Sequence, residues 1–112
     1  MDTISFEDFL KVDLRVGQII RVEDFPKARK PAYKLWIDFG PELGVKKSSA
    51  QLTRLYRHED LLERQVIAVV NFPPRQVADF LSEVLVLGAV AEDNQVILLQ
   101  PERAATPGIR IA

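Results

Sequence analysis

Apolar and polar positions alternate with period two over much of this chain. From Asp13 to Val22 the alternation places Leu14, Val16, Ile20 and Val22 on one face and Arg15, Gly17, Ile19 and Arg21 on the other, which predicts a long first strand. Gly17 removes a side chain from the middle of that strand, where a small barrel needs the chain to bend or coil. Tyr33, Leu35, Ile37 and Phe39 alternate with Lys34, Trp36 and Asp38 in a second strand, so the Trp36 indole faces away from the apolar set. Val45 to Ala50 is a third strand of small polar residues, with Lys46 and Ser48 on one face and Lys47 and Ser49 on the other. Val66 to Val70 has no polar residue and is rich in β-branched side chains, the pattern of a short strand buried on both faces. Pro73 and Pro74 cannot donate ladder hydrogen bonds, and Pro73 keeps Phe72 out of helical geometry, so this strand stops near Asn71. Ser82 to Val90 predicts a fifth strand, Val96 to Leu99 a sixth, and Ile109 to Ile111 a short closing one, with a polar hairpin turn at Glu92, Asp93 and Asn94.

The period changes in two places. Ser5 followed by Asp8 is a helix-start signal, and Phe6, Phe9 and Leu10 recur at i, i+3 and i+4 in a short N-terminal helix. That stripe is too apolar for one helical turn to leave in water, so it must dock on the barrel or on a second subunit. Leu52, Leu55 and Tyr56 have the same spacing and predict a helix between the third and fourth strands, followed by a turn at Glu59 to Leu62. Five or six strands, a helix between the third and fourth, and a glycine inside a long first strand predict an all-β, five-stranded Greek-key barrel of the OB type.

At 112 residues the chain is expected to form a single domain, and 47% hydrophobic with 28% charged residues is the balance of an ordinary globular protein. With no cysteine and one histidine, thiol chemistry and histidine-rich metal sites are excluded, and neither a metal nor another cofactor is expected. The adjacent carboxylates Glu59 and Asp60 point apart on a helical turn, Ser48 and Ser49 have no histidine partner in sequence, and Glu83 is more fitted to a structural hydrogen bond than to catalysis, so an enzyme is not expected. The acidic start MDTISFEDFL and the lack of a long apolar run lead to an expectation of a cytoplasmic protein with no membrane insertion. A net charge of −1 hides a strong polarity. Lys27 to Arg57 holds eight basic and two acidic residues, while the flanking segments are acidic, so one face can be positive enough for an anionic partner.

The motifs DLRVGQI (Asp13 to Ile19), KLWIDFG (Lys34 to Gly40), SSAQ (Ser48 to Gln51), VIAVVNFPPR (Val66 to Arg75) and SEVLVLG (Ser82 to Gly88), followed by LLQP and TPG, resemble the tRNA-binding domain family in order and spacing across essentially the whole chain. That family includes free-standing tRNA-binding proteins and domains appended to some aminoacyl-tRNA synthetases. Within it, the NFPPR turn and the SEVLVLG strand most resemble a small bacterial export-related chaperone. Val84 and Leu85 stand where synthetase-type members often carry glycine and methionine. The resemblance implies an OB fold assembling as a homodimer through its terminal segments, with tRNA and unfolded or export-destined polypeptides (preproteins) as partners.

Two functions follow. The first expectation is a dimeric chaperone that binds unfolded polypeptide through Trp36, Phe72 and Phe80, beside Lys34 and Arg75. The alternative is a tRNA-binding module with no chaperone role, in which Lys46, Arg54 and Arg75 meet phosphates, Ser48, Ser49, Asn71 and Ser82 hydrogen-bond, and Phe72 or Trp36 stacks on bases. Phe6, Phe9, Leu10, Ile109 and Ile111 are the expected dimer interface.

Overall fold

The computed structural model describes all 112 residues, Met1–Ala112. The Ser5 hydroxyl accepts the Asp8 N–H at 3.1 Å and starts α1 (Phe6–Leu10). The strands are β1 (Leu14–Asp24), β2 (Tyr33–Asp38), β3 (Val45–Ala50), β4 (Gln65–Val69), β5 (Arg75–Val77), β6 (Phe80–Ser82), β7 (Leu85–Val86), β8 (Gly88–Val90), β9 (Val96–Leu98) and β10 (Arg110–Ile111). Single-turn helices α2 (Gly40–Leu43) and α3 (His58–Leu61) lie before β3 and β4. The main sheet runs β3-β2-β1-β4-β7, all antiparallel, with β10 also pairing with β1. A fourth strand returning beside the first after a three-strand meander is the Greek-key order expected from the element pattern.

The sheet curls until β3 approaches the link between β6 and β7. That seam is sewn by Glu83, whose N–H donates to the Lys47 carbonyl at 2.8 Å while its carboxylate accepts the Lys47 N–H at 3.0 Å. Beside it the Ser49 N–H donates to the Ser82 hydroxyl at 3.0 Å. The fifth strand expected over Ser82 to Val90 is therefore broken into β6, β7 and β8, because Glu83 turns in to close the barrel and Val84 follows it into the core.

Ile19, Leu35, Ile37, Leu61, Val66 and Ala68 are fully buried at the centre of a twelve-residue core. The alternation read in β1 holds only to its middle. Ile19 pairs with Ile37 and Arg21 with Trp36, so Ile20 is an extra residue in a β-bulge. Ile19 keeps the inward face of Gly17 at 0% exposure, the face opposite the apolar set expected to be inside, and the bulge after it leaves Ile20 49% exposed and returns Val22 to the core. The expected helix at Leu52 to Tyr56 is also displaced, to His58–Leu61. A single helical turn does form at the expected place, the Tyr56 N–H donating to the Leu52 carbonyl at 3.2 Å, but it is not continued, and Tyr56 is held by its hydroxyl accepting the Leu98 N–H at 3.0 Å and its carbonyl accepting the Tyr33 hydroxyl at 2.8 Å.

The chain ends meet. Asp13 accepts two bonds from Arg15, the shorter at 2.6 Å, and Arg15 also donates to the Gly108 carbonyl at 3.1 Å. The hydrogen bond from Arg15 holds the Asp13 carboxyl below its ordinary value, so this tie is intact at neutral pH and weakens only in acid, as pH falls through the lowered value. The Arg110 guanidinium donates to the Leu10 carbonyl at 3.2 Å, bringing α1 beside β10.

At Gly17 the structure shows close packing, a reason other than the bend expected from its position. A Cβ there would lie 2.5 Å from Ile37 Cγ2 and 2.6 Å from Phe39 Cε1. Gly17→Val should lower stability by about 1 to 3 kcal/mol through overpacking, read as a reduced urea midpoint at unchanged slope. An unaltered midpoint would show that β1 does not pass this close to β2.

Candidate functional site

The hairpin β5–β6 makes the site. Phe80, only 6% exposed, packs edge-on against Phe25 at 5.6 Å and Trp36 at 5.7 Å between ring centroids. The Lys34 and Lys47 ammonium groups lie over the same ring at 5.5 and 5.2 Å. The ring fastens the hairpin across β2 and β3, on the face that carries Trp36 and Ser49. Where the hairpin stands away from that face, a groove remains.

The groove consists of connected hollows. One of about 400 Å³ is lined by Phe72, Pro73, Val77, Val84 and Leu85 together with Ser49, Gln51, Arg75, Ser82 and Glu83. A second, of about 620 Å³, shares Ser49, Gln51, Arg75 and Val77 with the first and continues to Lys27, Arg29 and Lys30. Lys30 and Gln51 carry it into a third, of about 200 Å³, which ends on Thr53, Arg54 and Asn94. One end is thus apolar and the other basic. The lining holds five cations (Lys27, Arg29, Lys30, Arg54, Arg75) against one acid, Glu83, whose carboxylate is already bonded to the Lys47 amide. Such a concave run of like charge attracts an anionic chain, and the 51% exposed Phe72 ring offers a flat apolar surface at its far end.

Of the residues expected from the sequence, Ser49, Arg54, Phe72, Arg75 and Ser82 come together on this groove. Others do not. Ser48 is 1% exposed, because it pairs with Leu35 and shares its inward face, so its hydroxyl is no ligand contact. Lys46 shares that face and lies outside the groove lining. Phe80 is a correction of the same kind, since it is the buried anchor rather than an exposed peptide contact. Trp36 sits behind it, half-buried, with the Arg21 guanidinium 4.5 Å above its ring, and is not covered by α1. Asn71 is exposed, but its amide is spent on the backbone: Oδ1 accepts the Asp13 N–H at 2.9 Å and Nδ2 donates to the Lys11 carbonyl at 2.7 Å. Lys27, Arg29 and Lys30 entered the sequence reading only as part of the basic run Lys27 to Arg57, and their place on the loop after the first barrel strand is the signal that could have found them.

Phe6 and Leu10 are 69% and 48% exposed, Phe6 stacks with Phe9 at 6.5 Å, and Ile109 is 49% exposed. Ile111 is half-buried beside Leu14.

Residues 14–110 match the family model described as "Putative tRNA binding domain". The fold superposes on the chaperone CsaA of Bacillus anthracis str. Ames with a TM-score of 0.94 and 54% identity, covering 99% of this chain and 100% of that one. For the CsaA chaperone protein of Picrophilus torridus the TM-score is 0.92 and the identity 53%, over 98% and 100% of the two chains. The chain is 38% identical over 111 residues to the methionine–tRNA ligase of Thermococcus onnurineus, and it spans 15% of that protein's length.

The Asn71 geometry separates a structural role from a binding one. Asn71→Ala should cost about 1 to 2 kcal/mol for two lost hydrogen bonds and speed hydrogen exchange at the Asp13 amide, with the groove's ligand affinity unchanged. Lost affinity with undiminished Asp13 protection would return Asn71 to the binding surface.

Proposed function

The chain belongs to the tRNA-binding domain family, and on that premise we propose that its groove binds an exposed single-stranded segment of tRNA. The observation that carries this reading is a groove lining of five cations and a single acid, Glu83, whose carboxylate is already bonded to the backbone. Arg75, Arg29, Lys30 and Arg54 meet successive phosphates. Phe72 stacks on a base, and Ser49, Gln51 and Ser82 offer hydrogen bonds to sugar and base edges. Every role in this assignment is one of binding.

A second reading has its own observation. The apolar end, with Phe72, Pro73, Val77, Val84 and Leu85 around about 400 Å³, has the size and character to take a large apolar side chain of an extended polypeptide. The likeness to CsaA chaperones supports that use. A basic rim beside it favours segments poor in lysine and arginine.

The protein that does this is a homodimer in our reading. Phe6, Leu10 and Ile109 are exposed, and α1 is tied to β10 by the Arg110 bond. Burying a large apolar side chain is worth about 1.5 to 3 kcal/mol, so a few such residues decide association.

Two measurements test these readings. Titration of tRNA at several salt concentrations should give a linear fall of log K with log salt, and Arg75→Ala should lower the slope magnitude by about 0.7 to 0.9. Phe72→Ala should weaken tRNA binding by about 1 to 3 kcal/mol with the slope unchanged, and should weaken an uncharged apolar peptide in a salt-insensitive way if the second reading holds. No tRNA binding at low salt sinks the first reading. In sedimentation at micromolar concentration the wild type should be a dimer and Phe6→Asp a monomer, whereas a monomeric wild type would refute the interface.

A further inference from the structure

Four of the five cations lining the groove have no ion-pair partner. Lys27 is the exception: its ammonium lies 2.9 Å from the Asp79 carboxylate, and each partner stabilises the charge of the other. Lys27 sits on the loop between β1 and β2, and Asp79 on the two-residue tip of the β5–β6 hairpin, so their contact bridges the two walls of the basic hollow. Neither partner is placed by chance. Phe25 and Phe80, each close in sequence to one of the pair, are buried against one another and hold the loop and the hairpin tip at fixed separation. Ala78, before Asp79, has φ +51°, a left-handed conformation that residues with side chains rarely adopt, and its carbonyl accepts the Gln76 side-chain amide at 3.0 Å. The turn is thus held in the conformation that sets Asp79 against Lys27, a cation of the groove lining.

We propose that Asp79 sets the charge requirement of this groove, its carboxylate occupying Lys27 as a phosphate would, so that a ligand gains Lys27 only by bringing a phosphate that displaces it. The inference rests on the reading of the groove as a tRNA site. An exposed ion pair is a weak competitor, worth well under the strength of a buried one. It therefore discourages ligands that cannot replace it and yields to a polyanion that delivers several phosphates along the same wall. Neutral or singly charged ligands leave the pair closed.

The test is a double-mutant cycle in tRNA binding with wild type, Asp79→Asn, Lys27→Met and the double variant. Asp79→Asn should tighten tRNA about two- to five-fold at moderate salt, the size of an exposed ion pair. In the Lys27→Met background the same substitution should give no gain. In the Asp79→Asn background, Lys27→Met should lower the salt slope by about 0.7 to 0.9, as expected for one lost phosphate contact. An equal gain in both backgrounds would overturn the proposal, since it would make Asp79 a source of general repulsion rather than the occupant of Lys27. Wild-type binding with no gain in Asp79→Asn overturns it too, and leaves the tRNA reading standing. Absence of tRNA binding in all four proteins at low salt overturns that reading and this inference with it.

Discussion

The seat of the Phe80 ring is the contact on which the rest of the site depends. A two-stranded hairpin of three-residue strands cannot hold its own shape in water. β5 and β6 are ordered because one aromatic ring at the start of β6 is buried between Phe25 and Trp36, with ammonium groups of Lys34 and Lys47 over it, and because Glu83 and Ser82 tie its end to β3. The groove is the space this attachment leaves. Arg75, Val77 and Ser82 reach it from the hairpin, Ser49 and Gln51 from the end of β3, and the Lys27 to Lys30 loop faces them from across.

The same arrangement divides the groove by chemistry. Its apolar end draws on the NFPPR turn and on Val84 and Leu85, where proline stiffness keeps Phe72 extended into solvent at little entropic cost. Its basic end draws on the loop between β1 and β2, whose cations repel one another and gain from an added anion. On the proposed reading a nucleic acid would use both ends, since each nucleotide has a flat apolar base and a charged phosphate. An extended polypeptide would use chiefly the first. On the proposed readings one surface would serve both ligand classes without two separate sites.

Much of the barrel was legible along the chain because its strands bury one face. β3 was read at its true limits, Val45 to Ala50, from its run of small polar residues and the change to helical spacing after it. The β1 face assignment failed after Ile19 because a bulge adds a residue without any mark in the pattern of apolar side chains. The helix expected at Leu52 is cut to a single turn, and the bonds of Tyr56 to Tyr33 and Leu98 that hold it there join residues far apart in sequence. The site was less legible than the barrel. Arg75, Phe72 and Ser49 were identified by type and neighbourhood, but whether Phe80 is a contact or an anchor, and whether Ser48 or Ser49 faces out, depends on which face a tertiary partner covers. Asp79 carried no signal at all, since its meaning comes from Lys27, fifty-two positions away.

β10 pairs with β1, with Leu14 opposite Ile111, so the chain enters and leaves the barrel at neighbouring points on one strand. A fold whose entrance and exit share a doorway can be spliced into a longer chain, or hung from the end of one, without opening any other part of its sheet. The groove is walled by β3, by the β5–β6 hairpin and by the loop between β1 and β2, none of which includes that doorway. The unit is therefore portable: its binding surface travels with it, whatever polypeptide is attached outside.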